Sequence, residues 1–285
     1  MGSRSGLQRE RVMKPSEFYE HFRVKPGSRV NLDKIDPGFS AEFKAKKDTR
    51  DLLKDNIERL NDLQYRLYAE DKRSVLIVFQ AMDAGGKDGC IRHVMTGLNP
   101  QGCRVTSFKV PSKEELDHDY LWRIHKAVPP RGELGIFNRS HYEDVLVVRV
   151  HSLVPKAVWS KRYEQINNFE KVLSDNGTTI LKFFLYISKK EQKERFIKRL
   201  ENPKKNWKFS SADVEERKFW NDYMKAFEAV LSKCSTDYAP WFVIPADKKW
   251  FRNLAVSQII ADSLDKMGPK IPKMTEDLSG VIISD

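Results

Sequence analysis

Leu53, Ile57, Leu60, Leu63 and Leu67 recur every three or four positions, the stripe of an amphipathic helix over roughly residues 48–71. The run SVLIVFQA at 74–81 is apolar without alternation and rich in β-branched side chains, the pattern of a strand covered on both faces. Gly85, Gly86 and Gly89 break it, and a helix is expected over 87–96. The alternation continues with a strand at 104–110, a helix at 113–126 and a short strand at 134–138. A helix at 155–176 stops before Gly177, and TTILKFFLYI at 178–187 is a strong strand. Helices at 189–201 and 212–233, a strand at 241–245 and a helix at 250–266 complete the pattern. Strands alternating with helices predict an α/β fold with a mainly parallel sheet. Right-handed crossovers place helices on both faces, and ligands bind at the carboxyl ends of the strands. Residues 1–48, punctuated by Pro15, Pro26, Gly27, Pro37 and Gly38, read as an extension wrapped over a single domain at 49–285.

Composition narrows the class. Of 285 residues, 40% are hydrophobic and 32% charged, enough for a substantial core and unlike a disordered chain. No apolar run reaches membrane-spanning length, so no membrane partner is expected. The polar opening Met1–Lys14 has no apolar leader, and its Met-Gly-Ser start reads as an expression remnant. Three scattered cysteines, Cys90, Cys103 and Cys234, argue for a reducing cytoplasm and against a disulfide framework or a zinc cluster. The net charge of +11 implies a polyanionic partner, and residues 189–208 alone carry nine Lys/Arg against three Glu. Charge does not by itself separate nucleotide, nucleic acid and phosphate chain.

Motifs do. Residues 81–88, AMDAGGKD, leave the first buried strand and open a helix, the context of a phosphate-binding loop. Backbone N–H groups of Ala84, Gly85, Gly86 and Gly89 and the helix N-terminus suit an anion, and Lys87 reaches a phosphate oxygen. Ala81 stands where the first glycine of G-x-x-x-x-G-K-[ST] belongs, and Asp88 where Ser or Thr ligates Mg²⁺. Asp83 puts negative charge into the cradle, which a bridging Mg²⁺ between carboxylate and phosphate would resolve; helix capping is the other reading.

A second cluster, Asn138, Arg139, Tyr142, Glu143 and Asp144, follows the strand at 134–138. If that strand neighbours the first, Arg139 clamps a phosphate, and Asn138, Glu143 and Asp144 hold Mg²⁺ or orient an acceptor, or the acids form an ion-pair knot with Arg139 or Arg149. A third, between about 188 and 218, places Arg195 and Arg199 four apart on one helix face and follows them with a basic turn carrying Lys204 and Lys208. Two helices joined by such a turn suit a lid that closes on phosphates and excludes water.

These residues bring the chain close to a known family. The blocks VFQAMDAGGKDGCIRHVMTGLNPQGC (78–103), SFKVPSKEELDHDYLWR (107–123), GIFNRSHYEDVLVVRVH (135–151), RYEQINNFE (162–170), the stretch 181–213 and APWFVIPADKKWFRN (239–253) resemble polyphosphate kinase family 2. The resemblance runs from about Phe22 to Lys266. It implies a P-loop kinase-like parallel sheet flanked by helices, with a helical lid. It also implies Mg²⁺-dependent transfer, with Mn²⁺ able to substitute, between inorganic polyphosphate and nucleotides. By position it assigns Asp83, Lys87, Arg139, Glu143 and Arg199 to catalysis and Asp83, Glu143 and Asp144 to the metal. Lys109, Lys113 and Arg123 become further phosphate contacts. Asn138, Glu143 and Asp144 resemble the short one-domain subgroups acting on AMP, or on AMP and ADP. Adenine nucleotides, with guanine nucleotides as alternatives, and a homodimer or homotetramer are implied; nucleic acid is not. Two rivals stand beside this reading. One is an ATP-dependent nucleoside monophosphate kinase, disfavoured by Ala81 and Asp88. The other is a non-catalytic polyanion binder, disfavoured by the acids beside the loop.

Overall fold

The computed structural model describes residues 13–276 and residue 281; the Met-Gly-Ser start lies outside the described residues. Five strands, β1 (Ser74–Gln80), β2 (Cys103–Ser107), β3 (Leu134–Asn138), β4 (Thr178–Tyr186) and β5 (Trp241–Pro245), form one parallel sheet in the order β2-β3-β1-β4-β5. Every residue of β1 is buried, as its unbroken apolar run requires of a central strand flanked by helices. The chain turns to β2 and β3 on one side of β1 and to β4 and β5 on the other, which opens a crevice above its carboxyl end. In the β1–β3 register Phe79 lies beside Asn138, and Arg139 N–H donates to the Phe79 carbonyl at 3.0 Å. The loop after β1 and the cluster after β3 are therefore neighbours.

The free edge of β5 is covered by the N-terminal segment. Arg23 bridges Phe242 antiparallel, and Val24 N–H donates to the Trp241 carbonyl at 2.8 Å. Phe18, Phe22 and Phe39 pack edge-on against Phe251 of the C-terminal helix (Lys249–Met267). Thirteen of that helix's nineteen residues are buried, because it lies between the long helix Arg50–Glu70 and the sheet. Aromatic pairs of this geometry add about 0.5–1.5 kcal/mol each beyond area burial.

Some expected boundaries shift for local reasons. The 104–110 strand stops at Ser107 because β3 ends at Asn138, whose carbonyl takes a last bond from Phe108 N–H. The 113–126 helix is two pieces, Lys113–Leu116 and Trp122–His125. Ser112 and Glu115 close a capping box on the first, and the Asp119 carboxylate accepts from Leu121 N–H just before the second. The 155–176 helix divides into Lys156–Trp159 and Arg162–Asp175, and Gly177 follows at φ +92°. The 212–233 helix is Ser211–Glu216, a tight turn at Arg217–Phe219, and Trp220–Cys234. The flap above the sheet comprises Lys189–Leu200, the turn Asn206–Lys208 and Ser211–Glu216.

Candidate active site

The loop between β1 and the helix Lys87–Val94 is built around two glycines that no other residue replaces. A Cβ on Gly85 would lie 2.5 Å from the Ala81 Cβ and 2.7 Å from the Met82 carbonyl oxygen. Ala81 is tolerated in place of a glycine because Gly85 leaves room for its methyl. Gly86 has φ +98°, and a Cβ there would meet Arg252 Nη1 at 2.2 Å. Gly86 is also the N-cap and no side chain caps this helix, so its first N–H groups are available to an anion.

Lys87 is buried, and its ammonium donates to the Ala81 carbonyl at 2.9 Å. Burial and the Arg139 cation push its pKa down, opposed by Asp83, Glu143 and Asp88. Arg139 occupies the left-handed region at φ +62°, a sparsely populated conformation for a non-glycine residue. Its Nη2 donates to Asp83 Oδ1 at 2.8 Å, and the half-buried pair lies at the rim of the loop. Burial lowers the Arg139 pKa, but Glu143 and Asp83 outweigh it and the net direction is up. Burial raises the Glu143 pKa against the pull of Arg139 and Lys87. Four expected catalytic groups, Asp83, Lys87, Arg139 and Glu143, thus form one electrostatic cluster. Asn138 Nδ2 donates to Asp88 Oδ1 at 2.8 Å, tying the helix start to the end of β3.

The flap completes the cavity. Arg199 faces Asp213 at 3.5 Å, and burial together with Asp83 raises the Asp213 pKa. The cavity over the loop has a volume of about 1010 Å³, larger than the hollows of about 740 and 530 Å³ elsewhere. Six Lys and six Arg line it, against Asp83, Asp88 and Asp213. Asn138, Lys109, Ala84, Gly85, Gly86 and Gly89 line it as well.

Other expected residues are placed differently. Arg195 is not presented to a ligand, because its three nitrogens are engaged. Nε pairs with Glu191, Nη1 donates to the Ala84 and Gly85 carbonyls at 2.9 Å each, and Nη2 donates to the Ala246 and Asp247 carbonyls. It braces the loop from behind. Tyr142 is fully buried; its hydroxyl donates to Glu170 at 2.8 Å and accepts from Lys182 at 2.9 Å. Lys182 also pairs with Glu170, so this buried knot anchors the turn His141–Val145 to β4 and to Arg162–Asp175. Asp144 is held by Arg162 at 2.8 Å, and burial pushes its carboxyl up to about 6. Arg123 donates to the Lys109 carbonyl at 2.9 Å and pairs with Glu115, bracing the chain at Lys109 rather than lining the cavity. Lys113, Lys204 and Glu143 are absent from the cavity wall, although the charges of Lys87 and Arg139 act on Glu143. The Lys208 side chain lies outside the described residues.

Sequence reasoning missed Lys46, Arg50, Arg92, Lys249 and Arg252, all in the cavity wall. Lys46 and Arg50 belong to the covering segment and the start of the first long helix, where no motif marks them. Arg252 stands in the quoted block 239–253, and its burial is a tertiary fact.

The expected metal trio of Asp83, Glu143 and Asp144 is not assembled, because Arg162 holds Asp144. Among the described residues no group of three or more acidic, His or Cys side chains is arranged to hold a metal ion. Mg²⁺ needs no such cage, since it takes one or two carboxylates together with substrate phosphates and waters. Asp83, a partly exposed carboxylate in the cavity wall, fits that donor set.

A parallel sheet whose central strand feeds a glycine loop and an uncapped helix N-terminus, beneath a basic helical flap, defines a P-loop kinase-like phosphotransferase. The chain belongs to the polyphosphate kinase 2 family, whose family model matches residues 43–272. It is 53% identical over 253 residues to the AMP/ADP-polyphosphate phosphotransferase of Meiothermus ruber, covering 88% of this chain and 95% of that protein. It is 49% identical over 268 residues to the ADP-polyphosphate phosphotransferase of Rhodopseudomonas palustris, covering 90% and 93%. The crystal structure of polyphosphate kinase 2 from Arthrobacter aurescens TC1 superposes with a TM-score of 0.88 at 44% identity, covering 94% of this chain and 95% of that one.

Proposed function

We propose that this enzyme transfers phosphoryl groups reversibly between inorganic polyphosphate and AMP or ADP. The observation that carries the reading is the cavity, whose wall sets twelve cationic side chains, eleven of them besides the loop-bound Arg195, and an uncapped helix N-terminus against three carboxylates. A mere polyanion binder gains nothing from Asp83 in its anion cradle. Asp88, bound to Asn138 at 2.8 Å, stands where ATP-dependent nucleotide kinases place a metal-ligating hydroxyl.

The donor's terminal phosphoryl rests on the amides of Gly86 and Lys87 at the helix start, while the Gly85 amide closes the loop on the Met82 carbonyl at 2.9 Å. A nucleotide phosphate oxygen attacks in line; its bond to phosphorus forms as the bridging oxygen leaves with the shortened chain. The acceptor oxygen is already ionised at neutral pH, so no strong general base is required. Catalysis is positioning and charge neutralisation by Lys87, Arg139 and Arg199. Arg195 and Gln192 hold the loop carbonyls of Ala84, Gly85 and Asp83 outward, which leaves the amides directed at the anion. Mg²⁺, or Mn²⁺ in its place, would be held by Asp83 and phosphate oxygens and would screen the repulsion between donor and acceptor. Cytoplasmic location accords with the three free cysteines and the nucleotide acceptor. Assembly as a homodimer or homotetramer is part of the reading and is decided by light scattering.

The test mixes enzyme, Mg²⁺ and AMP with long-chain polyphosphate, or with ATP in parallel, and resolves nucleotides by chromatography. ADP followed by ATP from polyphosphate is expected. ADP formed with ATP alone as donor would refute the reading in favour of an ordinary nucleotide kinase.

A further inference from the structure

Arg252 is the anomaly of the site. It lies in the first turn of the C-terminal helix, 2% exposed, directly beneath the phosphate loop. Its Nε and Nη2 both donate to one neutral acceptor, Asn253 Oδ1, at 3.1 and 2.8 Å. Its Nη1 is buried and has no hydrogen-bond partner. The charged groups that bear on it are the cations Arg195 and Lys249, the nearby Cys90 thiol is neutral because burial raises its pKa, and burial pushes the pKa of Arg252 itself down. A buried cation without a counter-charge destabilises the free protein. Nη1 points at Gly86, so closely that a Cβ there would lie 2.2 Å away.

We propose that Arg252 is a positioning residue whose buried, uncompensated guanidinium holds the phosphoryl group over Gly86, so that bound phosphate supplies the counter-charge the free protein lacks. This rests on the phosphotransfer reading and adds a residue from the far end of the chain to it. It also gives a second reason for glycine at 86, since any side chain would displace the cation from the loop. Because the charge acts through protein rather than solvent, bulk salt screens it little.

The experiment compares wild type, Arg252→Met, Arg252→Lys and Asn253→Asp for binding of inorganic tripolyphosphate with Mg²⁺ by calorimetry at low and moderate salt, and for Tm without ligand. Arg252→Met is expected to bind at least tenfold more weakly, about 1.4 kcal/mol. That ratio should be the same at both salt concentrations, with Tm unchanged or higher. Arg252→Lys should recover most of the affinity. Asn253→Asp, which places a carboxylate against the guanidinium and keeps the fold if Arg252→Met does not, should raise Tm and weaken binding. An exposed lid cation, tested by Lys205→Met, should show a deficit that shrinks with salt. Wild-type affinity in Arg252→Met and Asn253→Asp overturns the proposal alone. Equal losses in Arg252→Met and Arg252→Lys with lowered Tm make the residue structural and overturn it too. Wild-type protein that binds no tripolyphosphate overturns the phosphotransfer reading and this proposal together.

Discussion

Replacing Lys87 by Met removes one positive charge and keeps most of the side-chain volume. In the free protein the ammonium is buried and makes one hydrogen bond, to the Ala81 carbonyl at 2.9 Å. A hydrogen bond to a charged group contributes about 1.5–3 kcal/mol, whereas burying a cation costs several kcal/mol after relaxation. The direction of the Lys87 pKa, down through burial and Arg139, says the cost exceeds the compensation from Asp83, Glu143 and Asp88. The variant should therefore be as stable as wild type or slightly more so, with Tm no more than about 2 °C lower. In the transition state the same ammonium faces the charge spreading over the transferred phosphoryl. Loss of one preorganised donor there costs about 2.7–4 kcal/mol, or a factor of 10²–10³ in kcat. Initial rates of ADP and ATP formation at saturating polyphosphate measure it. A kcat within tenfold of wild type in a folded variant would refute the role of Lys87, and a large fall in Tm would refute the balance of terms.

Gly85→Ala should destabilise by roughly 1–3 kcal/mol and depress activity, because its methyl would collide with Ala81 Cβ at 2.5 Å. Adding Ala81→Gly should restore part of both, and no restoration would show that Ala81 is not the obstacle. Lys182→Met leaves the buried Glu170 carboxylate without its lysine counter-charge, a loss of about 3–5 kcal/mol in urea denaturation. The double variant Lys182→Met/Glu170→Leu should recover most of it. Burial raises the Asp144 carboxyl from 3.8 to about 6, so the folded state binds this proton more tightly than the unfolded chain. Its contribution to stability therefore falls as pH rises from about 4 to 6, and the stability of Asp144→Asn relative to wild type should climb by about 3 kcal/mol over that window. Parallel stability–pH curves for the two proteins would contradict the assignment.

The strand–loop–helix unit at 74–94 was legible in the sequence, because a fully buried strand, a glycine break and a following helix are local patterns with distinct periods. The neighbourhood of β1 and β3 entered only as a condition. Sheet order satisfied it, through the register that sets Phe79 beside Asn138. The same local patterning explains where the reading went astray. Asp119 marks the break in the expected 113–126 helix by one side-chain bond to the Leu121 amide, too short a signal for periodicity to register.

Among the candidate residues the sequence by itself determined chemistry type. The acid in the phosphate loop, the lysine after its glycines and the arginine after β3 all come together in the folded site. Only the tertiary structure decided which like residues do which work. Arg195 and Arg199 are four apart on one helix and both reach the cavity wall, yet the first is bound by loop carbonyls and the second pairs with Asp213. Tyr142 and Asp144 flank Glu143, yet one is locked to Glu170 and Lys182 and the other to Arg162. Arg252, more than 160 positions beyond the loop, ends directly beneath Gly86. Periodicity and motif record what a residue is and its immediate neighbours in the chain. Burial, counter-charge and the direction of a guanidinium depend on partners brought together by the sheet order, and those the linear pattern does not contain.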